Sequence, residues 1–163
     1  AWHDCVRHGL ERVRGDTMKY FKPEEFPDDI ALAEPELFDR LDRLREYLNY
    51  PIYPSPVSGA LARTDLGARS SQHYAVGRKS TAIDFFTDAE PFEAFVKICK
   101  SGLFPRVGIY FDTFFRHKKW VMFHVDLKDQ NLMWFRNDKQ YTYSTANRFY
   151  FYLFKFLFLN MEA

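Results

Sequence analysis

Apolar positions in this chain recur first at helical spacing and later at strand spacing. In EPELFDRLDRLREYL, residues 34 to 48, Leu37, Leu41, Leu44 and Leu48 fall on one side of a helix. Asp39, Arg40, Asp42, Arg43 and Glu46 fill the opposite side and read as solvated surface. Pro35 suits the first turn of that helix, where its missing N–H removes nothing. A second helix is predicted over PFEAFVKICKSG, residues 91 to 102. Pro91 stands near its start, Gly102 at its end, and Phe92, Phe95, Val96 and Cys99 form its apolar face. Upstream, MKYFKPEEFP predicts an extended piece and then a helical turn with Pro23 at an early position.

Between and after the helices the pattern shortens. NYPIYPSPVSGALAR is interrupted by Pro51, Pro54 and Pro56 and suits an edge strand entering a loop, because proline cannot donate to a ladder. Residues 64 to 80 read as a polar loop, TAIDFF as a short strand, RVGIYFDTFF as a second and KKWVMFHVDLK as a third. QNLMWFRNDKQYTYS reads as a turn and a final strand, with the turn at Asn137-Asp138. The expected organisation is a leader or short helix over 1–17, one domain over 18–145 and an apolar C-terminal helix over 146–163. Helices followed by strands around one core predict an α+β fold: a small, mainly antiparallel sheet with helices packed on one side.

Composition narrows this only slightly. A chain of 163 residues, 47% hydrophobic and 28% charged, suits one folded globular domain. A formal net charge of +1 supplies no electrostatic footprint for nucleic acid. The opening AWHDCVRHGLERVRGD has no apolar core of a signal peptide, so the expected location is the cytoplasm, a particle that carries the protein, or the medium after lysis. The most apolar run, FYFYLFKFLFL, has eleven residues and contains Lys155. About 20 apolar residues are needed to cross a bilayer, so no transmembrane span is expected. Its phenylalanines (149, 151, 154, 156 and 158) are too many to leave in water, so 146–160 is expected to pack on the domain or, as the less favoured alternative, to self-associate with a second copy. Cys5 and Cys99 form no CxxC pair, and Cys99 reads as a small buried hydrophobe.

The candidate chemistry starts on the third strand. Val121, Phe123, Val125 and Leu127 point to one face, and Trp120, Met122, His124 and Asp126 to the other. His124 and Asp126 therefore project side by side. Such a pair alone is commonly a hydrogen-bonded surface feature, and a loop histidine such as His73 is equally ordinary. Asp84, inside AIDFF, is less so, because a carboxylate among apolar residues needs a partner or a metal to stay ionised. His73, Asp84 and His124 together make a set of two nitrogens and a carboxylate that suits a catalytic zinc with the fourth position open.

With these residues in order, the chain resembles the zinc D-alanyl-D-alanine carboxypeptidase family, whose fold is shared by the hedgehog signalling domain, and in particular its short phage-type branch. The family pattern of S-x-H, a glycine, A-x-D and a later strand histidine is matched by Ser71-Gln72-His73, Gly77, Ala82-Ile83-Asp84 and His124. Val57-Ser58-Gly59 followed by Arg63 resembles the family's Ser-Gly-x-Arg segment, and Val107-Gly108-Ile109-Tyr110 its Gly-Ile-x-x-Tyr segment. KYFKPEEF resembles the start of phage-type members, and the likeness runs from about Met18 to about Ser144. Two features depart from the pattern. His73 and Asp84 are four residues further apart than in H-x-x-G-x-A-x-D, and Val121 stands where many members carry a glutamate three residues before the last histidine.

The resemblance implies a zinc peptidase acting on stem or cross-bridge peptides of bacterial peptidoglycan, as a D,D-carboxypeptidase or an endopeptidase. Its zinc would be held by His73, Asp84 and His124. Asp126 would then be either the general base or a carboxylate that orients His124. Arg63 would stabilise an oxyanion or bind a substrate carboxylate, with a plain surface arginine as the alternative. Ser71 would bind substrate or fix its loop, and Tyr110 would line the substrate site. His3, His8 and His117 match no motif position. The rival classes are a non-catalytic binding module of the same fold that keeps its metal for structure, and a phage structural or assembly protein.

Overall fold

The computed structural model describes residues 18–115 and 118–144. The leader, His3, His8 and His117, Cys5 and the apolar tail lie outside the described residues. Two helices, α1 (Pro35–Leu48) and α2 (Pro91–Ser101), accompany six strands: β1 (Tyr53–Pro54), β2 (Ala82–Phe86), β3 (Arg106–Phe114), β4 (Val121–Asp126), β5 (Leu132–Asn137) and β6 (Gln140–Ser144). The strands form one open sheet in the order β1-β2-β4-β3-β5-β6. All neighbours are antiparallel except β3 and β5, which run parallel. The fold is α+β, as the element order predicts, and no helix among the described residues is long and apolar enough to cross a membrane.

Alternation along the strands divides the sheet into two chemically different faces. Ile83, Phe85, Val107, Ile109, Val121, Phe123, Val125 and Phe135 join one buried cluster with Leu37, Leu41, Leu44 and Leu48 of α1 and Ala94, Phe95 and Ile98 of α2. Both helices therefore cover that face. On the other face Phe86, Tyr110, Met122 and Trp134 form a smaller aromatic-rich cluster. Asp84, His124 and Asp126 share this second face with them, because Asp84 lies two residues from Phe86 in β2, and His124 and Asp126 lie two and four residues from Met122 in β4.

The helix limits follow their capping signals. Pro35 opens α1, and Asn49, at φ 59°, closes it by donating its N–H to Arg45 O. Pro91 opens α2 behind Glu90, whose carboxylate accepts from Glu93 N at 2.7 Å, and Gly102 closes it at φ 64°. The buried stripe of α2 differs from the predicted one. Ala94, Phe95 and Ile98 face the sheet, while Phe92 is 38% exposed and Cys99 only half-buried. The stripes through 92-95-96-99 and 91-94-95-98 both satisfy helical spacing, and the approach of α1 and the sheet selects the second.

The last segment differs as well. It is a hairpin of two strands, β5 and β6, and its two-residue turn is Asp138-Lys139, at φ 47° and 64°. This is the left-handed geometry that matches strand twist, though it lacks the glycine that usually announces it. Lys139 N donates to Asp112 Oδ2 at 2.8 Å, which holds the turn from β3.

The two readings of α2 separate by mutation. Phe95→Ala removes a fully buried ring and is expected to cost about 3–5 kcal/mol in urea unfolding. Phe92→Ala is expected to cost less than about 1 kcal/mol. Equal losses would mean that the helix buries the other stripe.

Candidate metal centre

Strand pairing sets the centre. In the β2–β4 register Asp84 lies opposite His124 and Ala82 opposite Asp126, and on the other side of β4 Gly108 lies opposite His124. Asp84 is pinned along its backbone by Ala60 O, which accepts from Asp84 N, and by Ser55 N, which donates to Asp84 O, both at 2.9 Å. His73 comes from the loop before β2. That loop is fastened by Arg63 N to His73 O (2.7 Å), Ala75 N to Arg63 O (2.8 Å) and Thr81 N to Gln72 O (2.9 Å). Ser71 Oγ accepts from His73 N at 3.2 Å and caps the turn locally.

Three atoms converge. His124 Nδ1 lies 2.8 Å from Asp84 Oδ1, His73 Nε2 lies 3.1 Å from His124 Nδ1, and His73 Nε2 lies 3.4 Å from Asp84 Oδ1. All three residues are buried. Nitrogen and oxygen ligands at zinc distances of about 2.0–2.2 Å in a tetrahedron stand roughly 3.3 Å apart. The triangle is therefore the right size for one small cation, and its donor set of two imidazoles and a carboxylate is appropriate to a divalent transition metal. His73 Nδ1 has no hydrogen-bond partner, so the polar contacts of that ring are directed at the triangle.

The far side of His124 explains which nitrogen faces the triangle. Its Nε2 lies 3.1 Å from Asp126 Oδ2, and Asp126 is fully buried. Lys128 N donates to the other oxygen of Asp126 at 3.0 Å. A proton held on Nε2 by Asp126 leaves Nδ1 bare in the neutral ring, pointing at a carboxylate oxygen. Two lone pairs facing each other at 2.8 Å require a cation between them, either a proton or a metal ion. Arg106 Nε lies 3.2 Å from Asp126 Oδ2, near enough for an ion pair, although it makes no hydrogen bond there. Arg106 thus balances Asp126 from behind and leaves Asp84 as the uncompensated negative charge of the triangle.

The proton equilibria carry the same message. Burial opposes a charged His124, but hydrogen bonds to Asp126 and Asp84 and their charges outweigh it and push the imidazole up to about 9. Burial likewise opposes a charged Asp84, yet the neighbouring His73 and His124 hold its carboxyl far below the ordinary range. Without metal, a proton on His124 fills the place of the cation.

The other predicted residues fall at different distances from this triangle. Of the two roles open to Asp126, the geometry serves the orienting one: its carboxylate lies on the opposite side of the imidazole from the convergent atoms, and its oxygens are already engaged. Arg63 is exposed and shares with Asp84 a cleft of about 400 Å³, its Nε donating to Gly59 O at 3.0 Å. Tyr110 is buried one step back, its hydroxyl accepting from Trp134 Nε1 at 3.2 Å and its ring lying 4.4 Å below the Arg136 guanidinium.

Three further residues shape the site, of which only Gly108 lies in a segment that the sequence singled out. The Asp28 carboxylate accepts from Gly59 N, Leu61 N and Ala62 N at 2.9–3.0 Å and so folds the loop that presents Arg63. Gly108 makes room for Trp134, since a Cβ there would lie 2.3 Å from the indole. Trp134 in turn packs 5.1 Å from the His124 ring and forms the wall beside it. In Asp126→Asn the proton on His124 Nε2 loses its ionised acceptor, and affinity for a divalent metal ion is expected to fall roughly 10–100-fold, with excess metal restoring occupancy. Equilibrium dialysis checks this, and unchanged affinity would rule out the orienting role.

Proton linkage gives a second expectation. Because metal must replace the proton on His124, binding of a divalent metal ion at neutral pH is expected to release about one proton, and affinity is expected to rise with pH up to about 9. In the metal-free protein the raised value acts on stability in the opposite sense. The protonated pair stabilises the fold fully below pH 6.5, the ordinary histidine value, and that increment is lost as pH rises through about 9. Calorimetry in buffers of different ionisation enthalpy measures the first effect, and urea unfolding of metal-free protein at about pH 6 and about pH 10 measures the second.

No family model, curated protein or solved structure matches this chain, so its reading rests on the residues and their geometry.

Proposed function

We propose that this protein is a zinc-dependent peptidase that hydrolyses peptide bonds in the stem or cross-bridge of bacterial peptidoglycan. The observation that carries the proposal is the convergence of His73 Nε2, Asp84 Oδ1 and His124 Nδ1, with Asp84 also lining a cleft. Zinc, when bound there, supplies a Lewis acid that activates water and polarises a carbonyl. The protein's own part is to fix the two imidazoles and the carboxylate, to orient His124 through Asp126, and to offer Arg63 to an oxygen that gains negative charge. The ordered motif around His73, Asp84 and His124, and a sheet with helices on one face and ligands on the other, support a hedgehog-type peptidase fold.

A second reading has one observation in its favour. Among the described residues, Asp84 is the only carboxylate lining the cleft. Asp112, on the neighbouring strand, is occupied by Arg136 Nε at 2.9 Å and by the turn amide of Lys139. A site with no free carboxylate to accept a proton suits a binding module that keeps its metal for structure. Digestion of purified peptidoglycan, with zinc and then with chelator, separates the two. The peptidase is expected to release peptide fragments visible by mass spectrometry, to stop on chelation, and to lose activity and most bound zinc in His124→Ala. Stoichiometric zinc without any cleaved wall peptide would select the binding module.

A further inference from the structure

A second arginine lines the cleft beside Asp84. Arg136 projects from β5 on the ligand-bearing face, in register with Tyr110 of β3. Its guanidinium is fixed from behind. Nε donates to Asp112 Oδ1 at 2.9 Å, Nη2 donates to Thr113 Oγ1 at 2.6 Å and also lies 2.9 Å from Asp112 Oδ1, and the plane lies 4.4 Å above the Tyr110 ring. Nη1 meets only the Tyr141 hydroxyl, at 3.3 Å. Five N–H donors in a rigid fork exceed what these acceptors use, and the one left over is on Nη1.

We infer that Arg136 anchors a carboxylate of the substrate, working with Arg63 in the same cleft. The inference rests on the peptidase reading and specifies which chemical group that substrate presents. Asp112 balances the charge of Arg136, so the contribution of Arg136 is directional: an N–H donor already aimed, with little side-chain freedom left to lose. Arg63, exposed and without a carboxylate partner among its hydrogen bonds, supplies the net positive charge. Phe86 and Met122 form an apolar floor, which strengthens a charge-assisted hydrogen bond above it. A volume of about 400 Å³ is that of a small-ligand cleft and accepts a short piece of peptide. In a wall stem peptide the carboxylate has two sources, the free chain end and the α-carboxylate of the γ-linked D-glutamate.

Binding of synthetic peptides to the chelator-treated protein tests this without turnover. The probes are L-Ala-γ-D-Glu-L-Lys-D-Ala-D-Ala, its C-terminal amide, and the same peptide with D-isoglutamine in place of D-glutamate. One of the two neutralised peptides is expected to bind roughly 10–100-fold more weakly than the parent, by isothermal titration calorimetry. Loss with the amide identifies the chain end, and loss with isoglutamine identifies the glutamate carboxylate. Arg136→Met is expected to abolish the difference and Arg136→Lys to keep part of it. The double variant Asp112→Asn/Arg136→Met removes both charges of the pair and replaces Arg136→Met if that variant does not fold. Equal binding of all three peptides, no binding of any, or a preference that survives loss of Arg136 would overturn the assignment. If the carboxylate preference holds while the zinc-loaded protein leaves the parent peptide uncut, the peptidase reading fails and the anchor stands.

Discussion

The antiparallel pairing of β2 with β4 is the constraint on which the rest of the site depends. It places Asp84 directly across from His124 and Phe85 across from Phe123. The two phenylalanines are fully buried on the helix side and stack at 5.7 Å, so they fix the register from the core. A slip of one residue would send both rings into the cleft and both ligands into the apolar core. The candidate metal-binding side chains on the sheet are thus positioned by hydrophobic packing on the opposite face of the same strands. Only His73 comes from outside the sheet, and its loop is tied to the Arg63 segment and to residues 80 and 81 by backbone and side-chain hydrogen bonds.

Around that register the charges are layered. Arg106 faces Asp126, Asp126 faces His124, and His124 faces Asp84. Each group faces one of opposite or convertible charge, and the series ends on a carboxylate that needs a cation. This explains how buried ionisable groups are tolerated together at the edge of an aromatic cluster. A buried charge is stable when paired and hydrogen-bonded, and destabilising when one partner is removed. The aromatic wall of Trp134 beside His124 is possible only because position 108 has no side chain.

Local periodicity made the two helices, their caps and the division of β4 into two faces legible, and with them the candidate ligands His124 and Asp84. His73 became legible through its motif. What was not legible arises from contacts across the chain. The buried stripe of α2 is a choice between two equally helical stripes, settled by the neighbouring layer. The β5–β6 turn carries lysine at a left-handed position, stabilised by Asp112 from another strand. The orienting position of Asp126 depends on which imidazole nitrogen turns toward β2, a matter of side-chain rotation that alternation leaves undefined. Asp28 and Arg136 act on partners 31 to 34 and 23 to 24 residues away, beyond the reach of any short pattern.

The separation of the ligands along the chain bears on how the protein reaches its native state. His73 and His124 are 51 residues apart, and Asp84 and His124 are 40 apart. Either pair meets only when the chain between them, which holds α2 and β3, closes as a loop and β4 pairs with β2. Helices of local sequence form in about a microsecond, whereas such distant strand pairings wait for loop closure. The candidate ligand triangle is therefore complete only once this non-local pairing has formed. A metal ion that prefers all three ligands would be captured only by chains whose central strands have already paired, and would act as a molecular proof of assembly by slowing the reopening of the sheet.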